Sequence, residues 1–317
     1  MKTALEASRF QFRRGEAERE TSGEGTCTDD ARGWALRILS AAMRDDHRQR
    51  PRPQRYSHAG PPHGGPRAAA GDGHQSAEGQ LVFGVEPVRE LISAAPAAVR
   101  VLYVRAGAER RFAAEIESIR ACGAQIVSVE EERLNRMAGA GAHHQGVVAI
   151  IPEYEYTPFE AILREHPDPL LVVDGVTDPR NLGAILRSVE CAGAGAVVIA
   201  RDRTVGLTPA AFKASVGAWV HLRIARCGNV AQALEALKSA GYWIVALAPG
   251  GELSLYELDT TRRLAFVVGS EGKGVRQVVR KNSDFVVSIP MRGKVESLNV
   301  SVAAAVVLFE VARKRAK

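Results

Sequence analysis

From Leu81 onward, short apolar runs alternate with segments in which apolar residues return every three or four positions; upstream that order is nearly absent. Leu81-Val-Phe-Gly84 reads as a short strand and Val88-Arg-Glu-Leu-Ile92 as a helix. Val99–Val104 follows as a strand, then an amphipathic helix with Phe112, Ile116 and Ile119 on one face. Ile126–Val129 and Val147–Ile151 read as further strands, with Arg133–Ala138 helical between them. This mixed α/β unit, residues 80–152, is small for an independent catalytic domain. Glu153–Pro167 is polar and contains proline, so residues 153–168 read as a linker. Leu170-Leu-Val-Val-Asp174 is a near-continuous apolar run, the pattern of a strand covered on both faces. Similar runs recur at Ala196–Ala200, Trp243–Leu247, Leu264–Val268 and Phe285–Ile289, with helical patterns between. Residues 169–317 are therefore expected to form a mostly parallel sheet with helices on both sides, and the chain as a whole falls in the α/β class.

Residues 1–79 cluster Pro, Gly, Arg and His from His47 to His74, and show apolar periodicity only at Trp34–Met43. Such a segment buries too little apolar surface to offset its ordering entropy and reads as a disordered tail. Arg48, Arg50, Arg52 and Arg55 could touch RNA phosphates or simply be solvated, and a start of translation at Met43 is a third reading. The net charge of +6 favours an anionic partner, nucleic acid first. No uncharged apolar run approaches a membrane span, and no apolar core follows Lys2 before Arg9, which argues against a secretory signal. The four cysteines lie far apart without Cys-x-x-Cys spacing, so the reading is a reduced cytosol with neither a zinc site nor a disulfide framework. Cys191 falls in a helical apolar pattern and reads as a small core residue.

Three loop-to-helix segments carry the candidate chemistry. In Asp178-Pro-Arg-Asn-Leu-Gly-Ala-Ile-Leu-Arg-Ser188, Asp178 suits a helix N-cap and Pro179 the first helical position. Leu182, Ile185, Leu186 and Val189 make a buried stripe, with Asn181 outside it and Arg187 at its flank. Arg187 is either a snorkelling surface arginine or a guanidinium reaching over the apolar edge. Val268-Gly-Ser-Glu-Gly-Lys-Gly274 mimics a phosphate loop, yet no Ser or Thr follows Lys273, as a nucleotide triphosphatase would need. Gly193-Ala-Gly195 leads from helix to strand, the reverse of the dinucleotide-binding order. Glu271 could cap a helix starting near Val275. After Ser288-Ile-Pro-Met-Arg292 comes Ser297-Leu-Asn-Val-Ser301, in which Asn299 is a natural N-cap for a helix apolar on most sides from Val300 to Val311, expected to be buried all round. His143, His144 and Gln145 could contact phosphate or a flipped base, or serve as turn residues.

In this order the three segments resemble the motifs of the SpoU (TrmH-like) ribose 2′-O-methyltransferases of the SPOUT superfamily, which use S-adenosylmethionine to methylate RNA. The resemblance covers the C-terminal half and runs more weakly back to about Leu81, where Phe83-Gly84 and His144-Gln145-Gly146 are similar to the RNA-binding domain of the family's large-subunit rRNA branch. It implies a trefoil knot in residues 169–317, an RNA-binding role for residues 80–152 and a homodimer with its active site at the interface. It places the family's asparagine and catalytic arginine on Asn181 and Arg187, and the acid that orders the catalytic loops on Glu271. It sets the cofactor beside Gly269, Ile289, Met291, Leu298 and Asn299, with Gly269 letting the backbone approach the adenosine, and we read Ser297 and Asn299 as positioning the ribose.

The expected reaction is attack of a ribose 2′-oxygen on the sulfonium methyl, with S-adenosylhomocysteine leaving and no metal required. A guanidinium keeps its proton above pH ~12, so Arg187 is read as a phosphate anchor and alkoxide stabiliser rather than a base. The resemblance implies a guanosine of 23S rRNA as target, in the cytoplasm. A tRNA ribose methyltransferase is the nearest rival, though such members generally lack the small N-terminal unit. An RNA-binding or ribosome-assembly factor that has lost catalysis is the other, against which Asn181, Arg187, Glu271, Ser297 and Asn299 all stand intact.

Overall fold

The computed structural model describes residues 79–316 apart from 140, 272 and 273. The expectations for the N-terminal tail, including Trp34–Met43 and the arginines that follow, lie outside the described residues.

The first sheet is built from β1 (Gln80–Phe83), β2 (Val101–Arg105), β3 (Gln125–Val129) and β4 (Val147–Ile151), in the order β1-β4-β2-β3. β4 runs antiparallel to β1 and β2, and β2 is parallel to β3. Helices α1 (Val85–Ala94), α2 (Ala113–Ala121) and α3 (Glu131–Ala138) accompany it. On α1, Val85, Val88, Leu91 and Ile92 are buried, the helical spacing of an apolar face.

The second sheet has seven strands: β5 (Leu170–Val173), β6 (Ala196–Ala200), β7 (Arg223–Cys227), β8 (Trp243–Leu247), β9 (Leu253–Ser254), β10 (Leu264–Val268) and β11 (Phe285–Ser288). Their order is β7-β6-β5-β10-β8-β11-β9, and every neighbouring pair is parallel. The helices between are α4 (Phe159–Glu165), α5 (Pro179–Cys191), α6 (Pro209–Ala214), α7 (Val230–Ser239), α8 (Gln277–Lys281) and α9 (Val300–Arg315). Alternate residues of β5, β6 and β10 face two cores. Leu171, Val197 and Phe266 join Leu182, Phe212 and Leu308, whereas Leu170, Val198 and Val267 join Ile162, Leu234 and Val279. Burial on both faces is why these strands read as unbroken apolar runs.

Four local expectations need correction. β7 and β9 did not stand out in the sequence. β7 is an edge strand that interleaves Arg223 and Arg226 with buried residues, and β9 is two residues long. Residues 153–168 are not a bare tether: Tyr154 is buried with its ring edge-on to Trp219, Thr157 N–H donates to the Ile224 carbonyl, and α4 follows. Through Tyr154, Phe212 and Trp219 one buried core runs from Val82 to Phe266. Cys191 is exposed, because two positions past Val189 the helix has turned its side chain away from the buried stripe. α9 is not buried all round. Ala304, Val307, Leu308 and Val311 are buried, but Val302 and Phe309 are 47% and 49% exposed. No helix among the described residues is long and apolar enough to cross a membrane.

Candidate active site

Outside the carboxyl ends of β8, β10 and β11 lies a cavity of about 850 Å³. Parallel α/β sheets bind ligands at that edge, and the volume is within the ~300–1,000 Å³ usual for small-molecule sites. Its walls are the strand ends Leu247, Val268 and Ser288, the loops that follow them, and Val300 and Ala303 of α9. Of the residues singled out in the sequence, Gly269, Glu271, Ile289, Met291, Ser297, Leu298 and Asn299 all line it.

The loop after β10 folds back on itself. Ser270 and Gly274 exchange backbone hydrogen bonds of 3.1 and 2.8 Å, and Gly274 takes a positive φ of 62°. A Cβ on Gly269 would stand 2.1 Å from the Gly274 carbonyl oxygen, so closure of the loop already demands glycine there. The approach to a ligand is a second reason rather than the first.

α5 begins as its sequence requires, with Pro179 in the first turn and the Asp178 carboxylate accepting from the Arg180 N–H at 2.8 Å. The Arg180 side chain also bonds Asp178 and holds its carboxyl below the usual carboxylate range. Leu182, Ile185, Leu186 and Val189 are fully buried, which fixes the rotation of the helix. Asn181 is then placed to donate from Nδ2 to Glu271 Oε1, and its Oδ1 accepts from Asn299 Nδ2 at 3.1 Å. Asn299 Oδ1 in turn accepts from the Ser301 N–H at 2.9 Å and from Ser301 Oγ at 2.6 Å, capping α9. An ionised carboxylate can only accept, so Glu271 dictates which way both amides face. The three motifs, far apart in sequence, are thus one hydrogen-bonded chain beside the cavity. Glu271 does not cap the next helix: α8 starts at Gln277 with Arg276 at its N-cap.

Arg187 is not brought to this chain. It is exposed, lies outside the cavity lining, and sits beside Cys191 one turn further along α5. His144 is a buried turn residue. Its Nε2 meets Asn135 Oδ1 at 3.0 Å and its Nδ1 accepts from the Gly146 N–H at 3.1 Å, so both nitrogens are engaged within the fold. Gln145 has φ 57° and its Oε1 accepts from Val85 N–H and from Lys213 Nζ at 2.7 Å, joining the two sheets' helices. The wall at Leu247-Ala-Pro-Gly250 escaped the sequence reading, although a strand running into Ala-Pro-Gly-Gly is itself a turn signal.

Residues 168–309 match the SpoU rRNA Methylase family, and residues 81–157 match the RNA 2′-O ribose methyltransferase substrate binding family. A Coxiella burnetii protein named 23S rRNA (guanosine-2′-O-)-methyltransferase RlmB is 38% identical over 240 residues, 74% of this chain and 95% of that protein. The chain belongs to the SpoU methyltransferase family. An uncharacterized tRNA/rRNA methyltransferase of Mycolicibacterium smegmatis is 41% identical over 250 residues, covering 77% of this chain and 79% of that one. Among solved structures, the SpoU methyltransferase AviRb of Streptomyces viridochromogenes, in complex with AdoMet, aligns with a TM-score of 0.64 at 25% identity, over 76% of this chain and 92% of AviRb. An rRNA methyltransferase from Sinorhizobium meliloti shares the fold, with a TM-score of 0.63 at 23% identity over 75% of this chain and 88% of that one.

Proposed function

We propose that this S-adenosylmethionine-dependent RNA 2′-O-methyltransferase modifies a guanosine of 23S rRNA, acting as a homodimer in the cytoplasm. The observation that carries the reading is the chain Glu271–Asn181–Asn299, which ties the three motif loops together at the rim of one cavity. The cavity suits the cofactor. Leu247, Val268, Ile289 and Leu298 offer apolar walls for the adenine, and the carboxylates of Glu271 and Glu296 favour a cation. When bound, S-adenosylmethionine supplies a methyl group on a sulfonium for in-line transfer to oxygen.

The protein's part is alignment, which can supply on the order of 7–11 kcal/mol. Asn181 and Asn299 hold the loop of Ser297 and Leu298 against that of Glu271, and Ser297 is left facing the cavity for the ribose. Arg187 stands away from the cavity in a single chain, which supports a dimer in which a second copy lends its Arg187 to the RNA phosphate and the developing alkoxide. The knot implied by the resemblance suits the course of the C-terminal segment. Lys314 Nζ donates to the carbonyls of Tyr256 and Leu258, and Arg315 to those of Thr260 and Arg262, clamping the end of α9 onto the loop before β10.

The test is transfer of labelled methyl to separately purified 23S rRNA and tRNA, with the modified position mapped in the product. Label on the 2′-oxygen of one 23S guanosine is expected. Label confined to tRNA would replace this reading with the tRNA one, and none on either RNA would favour an inactive binding factor. Arg187→Ala should reduce transfer about a hundredfold to a thousandfold, as removal of a transition-state contact does, with cofactor affinity by calorimetry unchanged.

A further inference from the structure

A second, polar cleft of about 290 Å³ opens at the same carboxyl edge of the large sheet, over β6 and β7 rather than over the cofactor cavity. Arg203, Asp202 and Ala200 line it from the end of β6, Gly228, Asn229 and Val230 from the start of α7, and Arg276 from the segment after the Gly269–Gly274 loop. We propose that this cleft is a phosphate subsite for the RNA substrate, in which Arg203 and Arg276 grip a backbone phosphodiester next to the nucleotide being methylated. The inference rests on the RNA methyltransferase reading and adds to it a place where the substrate strand is held.

Arg276 is prepared for such a ligand. Its Nε donates to Asp174 Oδ2 at 2.6 Å, and the Asp174 side chain is 1% exposed. Anchored through Nε, the guanidinium keeps its terminal nitrogens, with four N–H groups, for the open cleft. A guanidinium fixed beforehand loses less freedom on binding, and its fork matches phosphate oxygens. Arg203 is exposed and makes no hydrogen bond or ion pair among the described residues, so its charge is uncommitted. Arg201 and Arg276 both lie close enough to Cys227 to act on its thiol. Arg203 and Arg276 line the cleft with one carboxylate, Asp202, and Arg201 adjoins it in sequence, so guanidinium groups outnumber the carboxylates of Asp174 and Asp202. The amino end of α7 adds the positive pole of a ten-residue helix. Position favours RNA over a free small anion. β6 stands two strands from β10 in the sheet, roughly 10 Å at ordinary strand spacing, a distance a neighbouring nucleotide spans.

The experiment compares RNA affinity of wild type, Arg203→Ala and Arg203→Lys, as full chains on a 23S rRNA fragment across a salt series, with methylation of that fragment by the wild type measured alongside. Each phosphate contact to single-stranded RNA contributes about 0.7 to the slope of log affinity against log salt. Arg203→Ala is expected to bind RNA several-fold more weakly at low salt, with a slope shallower by that amount, and Arg203→Lys to regain most of it. A neutral methylphosphonate beside the target nucleotide should remove the difference between wild type and Arg203→Ala. S-adenosylmethionine affinity, unchanged throughout, reports that the fold is intact. Equal slopes in wild type and Arg203→Ala overturn the proposal. So does a loss of millimolar inorganic phosphate binding in Arg203→Ala with the RNA slope unaltered, which would make the cleft a small-anion site. Failure of the wild type to methylate any RNA would instead overturn the functional reading, and the slopes would still report on the cleft.

Discussion

At Asn181 a single carboxamide joins two motif loops, donating to Glu271 and accepting from Asn299. Asn181→Ala leaves the Glu271 carboxylate without that donor and frees the loop carrying Ser297. Hydrogen bonds to charged groups are worth about 1.5–3 kcal/mol, so cofactor affinity should fall roughly tenfold to a hundredfold, by calorimetry. Unchanged affinity would show that the chain does not hold the cavity in shape. His144 makes a different prediction. Burial, the largest influence, pushes its pKa below 6.5; Arg105 and Lys213 act the same way, while Glu131 opposes them. Below pH 6.5 the unfolded chain takes up a proton that the folded state refuses. The stability contributed by neutral His144 is therefore complete above 6.5 and lost as pH falls through the interval down to the folded value, at up to about 1.4 kcal/mol per pH unit. Urea midpoints between about pH 7.5 and 5.5 should drop for wild type and drop less for His144→Asn; parallel curves would contradict the assignment. These residues differ in how readable they were. The cap at Asp178 is a local matter of side chain and neighbouring N–H, and the sequence displays it. The bond between Asn181 and Glu271 spans 90 positions, and only the motif resemblance hinted that the two belong together.

Between elements, α5 and α6 approach closely at Gly183. A Cβ on Gly183 would stand 2.5 Å from Ala214 Cβ and 2.6 Å from the Ala211 carbonyl oxygen, so the helices touch where that side chain is missing. Gly183→Ala must push them apart. Overpacking of this kind costs about 1–3 kcal/mol, and the shift also moves Asn181 two residues away. Calorimetric melting should show a lower Tm, and methyl transfer should fall further than the loss of folded protein accounts for; an unaltered Tm would mean the helices part at no cost. Nothing in the periodicity singled out Gly183, because the reason for it lies on another helix. The same holds for β7, whose pairing with β6 is invisible in a strand where Arg223 and Arg226, three positions apart, break the apolar run without period-two alternation. The central strands were legible for the opposite reason: burial on both faces leaves no room for polar residues. Burial of α9 was overestimated, since a sequence apolar on most sides does not say whether one face is covered by the same chain.

For the whole molecule, that open face bears on the proposed dimer. Val302, Val306 and Phe309 follow at i, i+4 and i+7 on α9, with Val302 and Phe309 exposed, and α9 packs on α5, the helix that carries Arg187. A second copy seated on this stripe would cover the apolar surface and bring a second Arg187 near the first copy's cavity. Val302→Glu combined with Phe309→Glu should give a monomer by light scattering, since a charge buried at an interface without a partner is costly. That monomer should still bind S-adenosylmethionine, whose cavity is formed within one chain, yet transfer no methyl group. Mixing tests the sharing directly. Arg187→Ala is expected to be strongly impaired alone, and Asn181→Ala likewise at a cofactor concentration below its weakened affinity. In a mixed dimer, the Arg187→Ala copy keeps an intact cavity and receives the intact Arg187 of the Asn181→Ala copy, so one complete site is rebuilt and activity returns. If Arg187 served the cavity of its own chain, neither copy would hold a complete site and the mixture would stay impaired, whatever the light scattering showed.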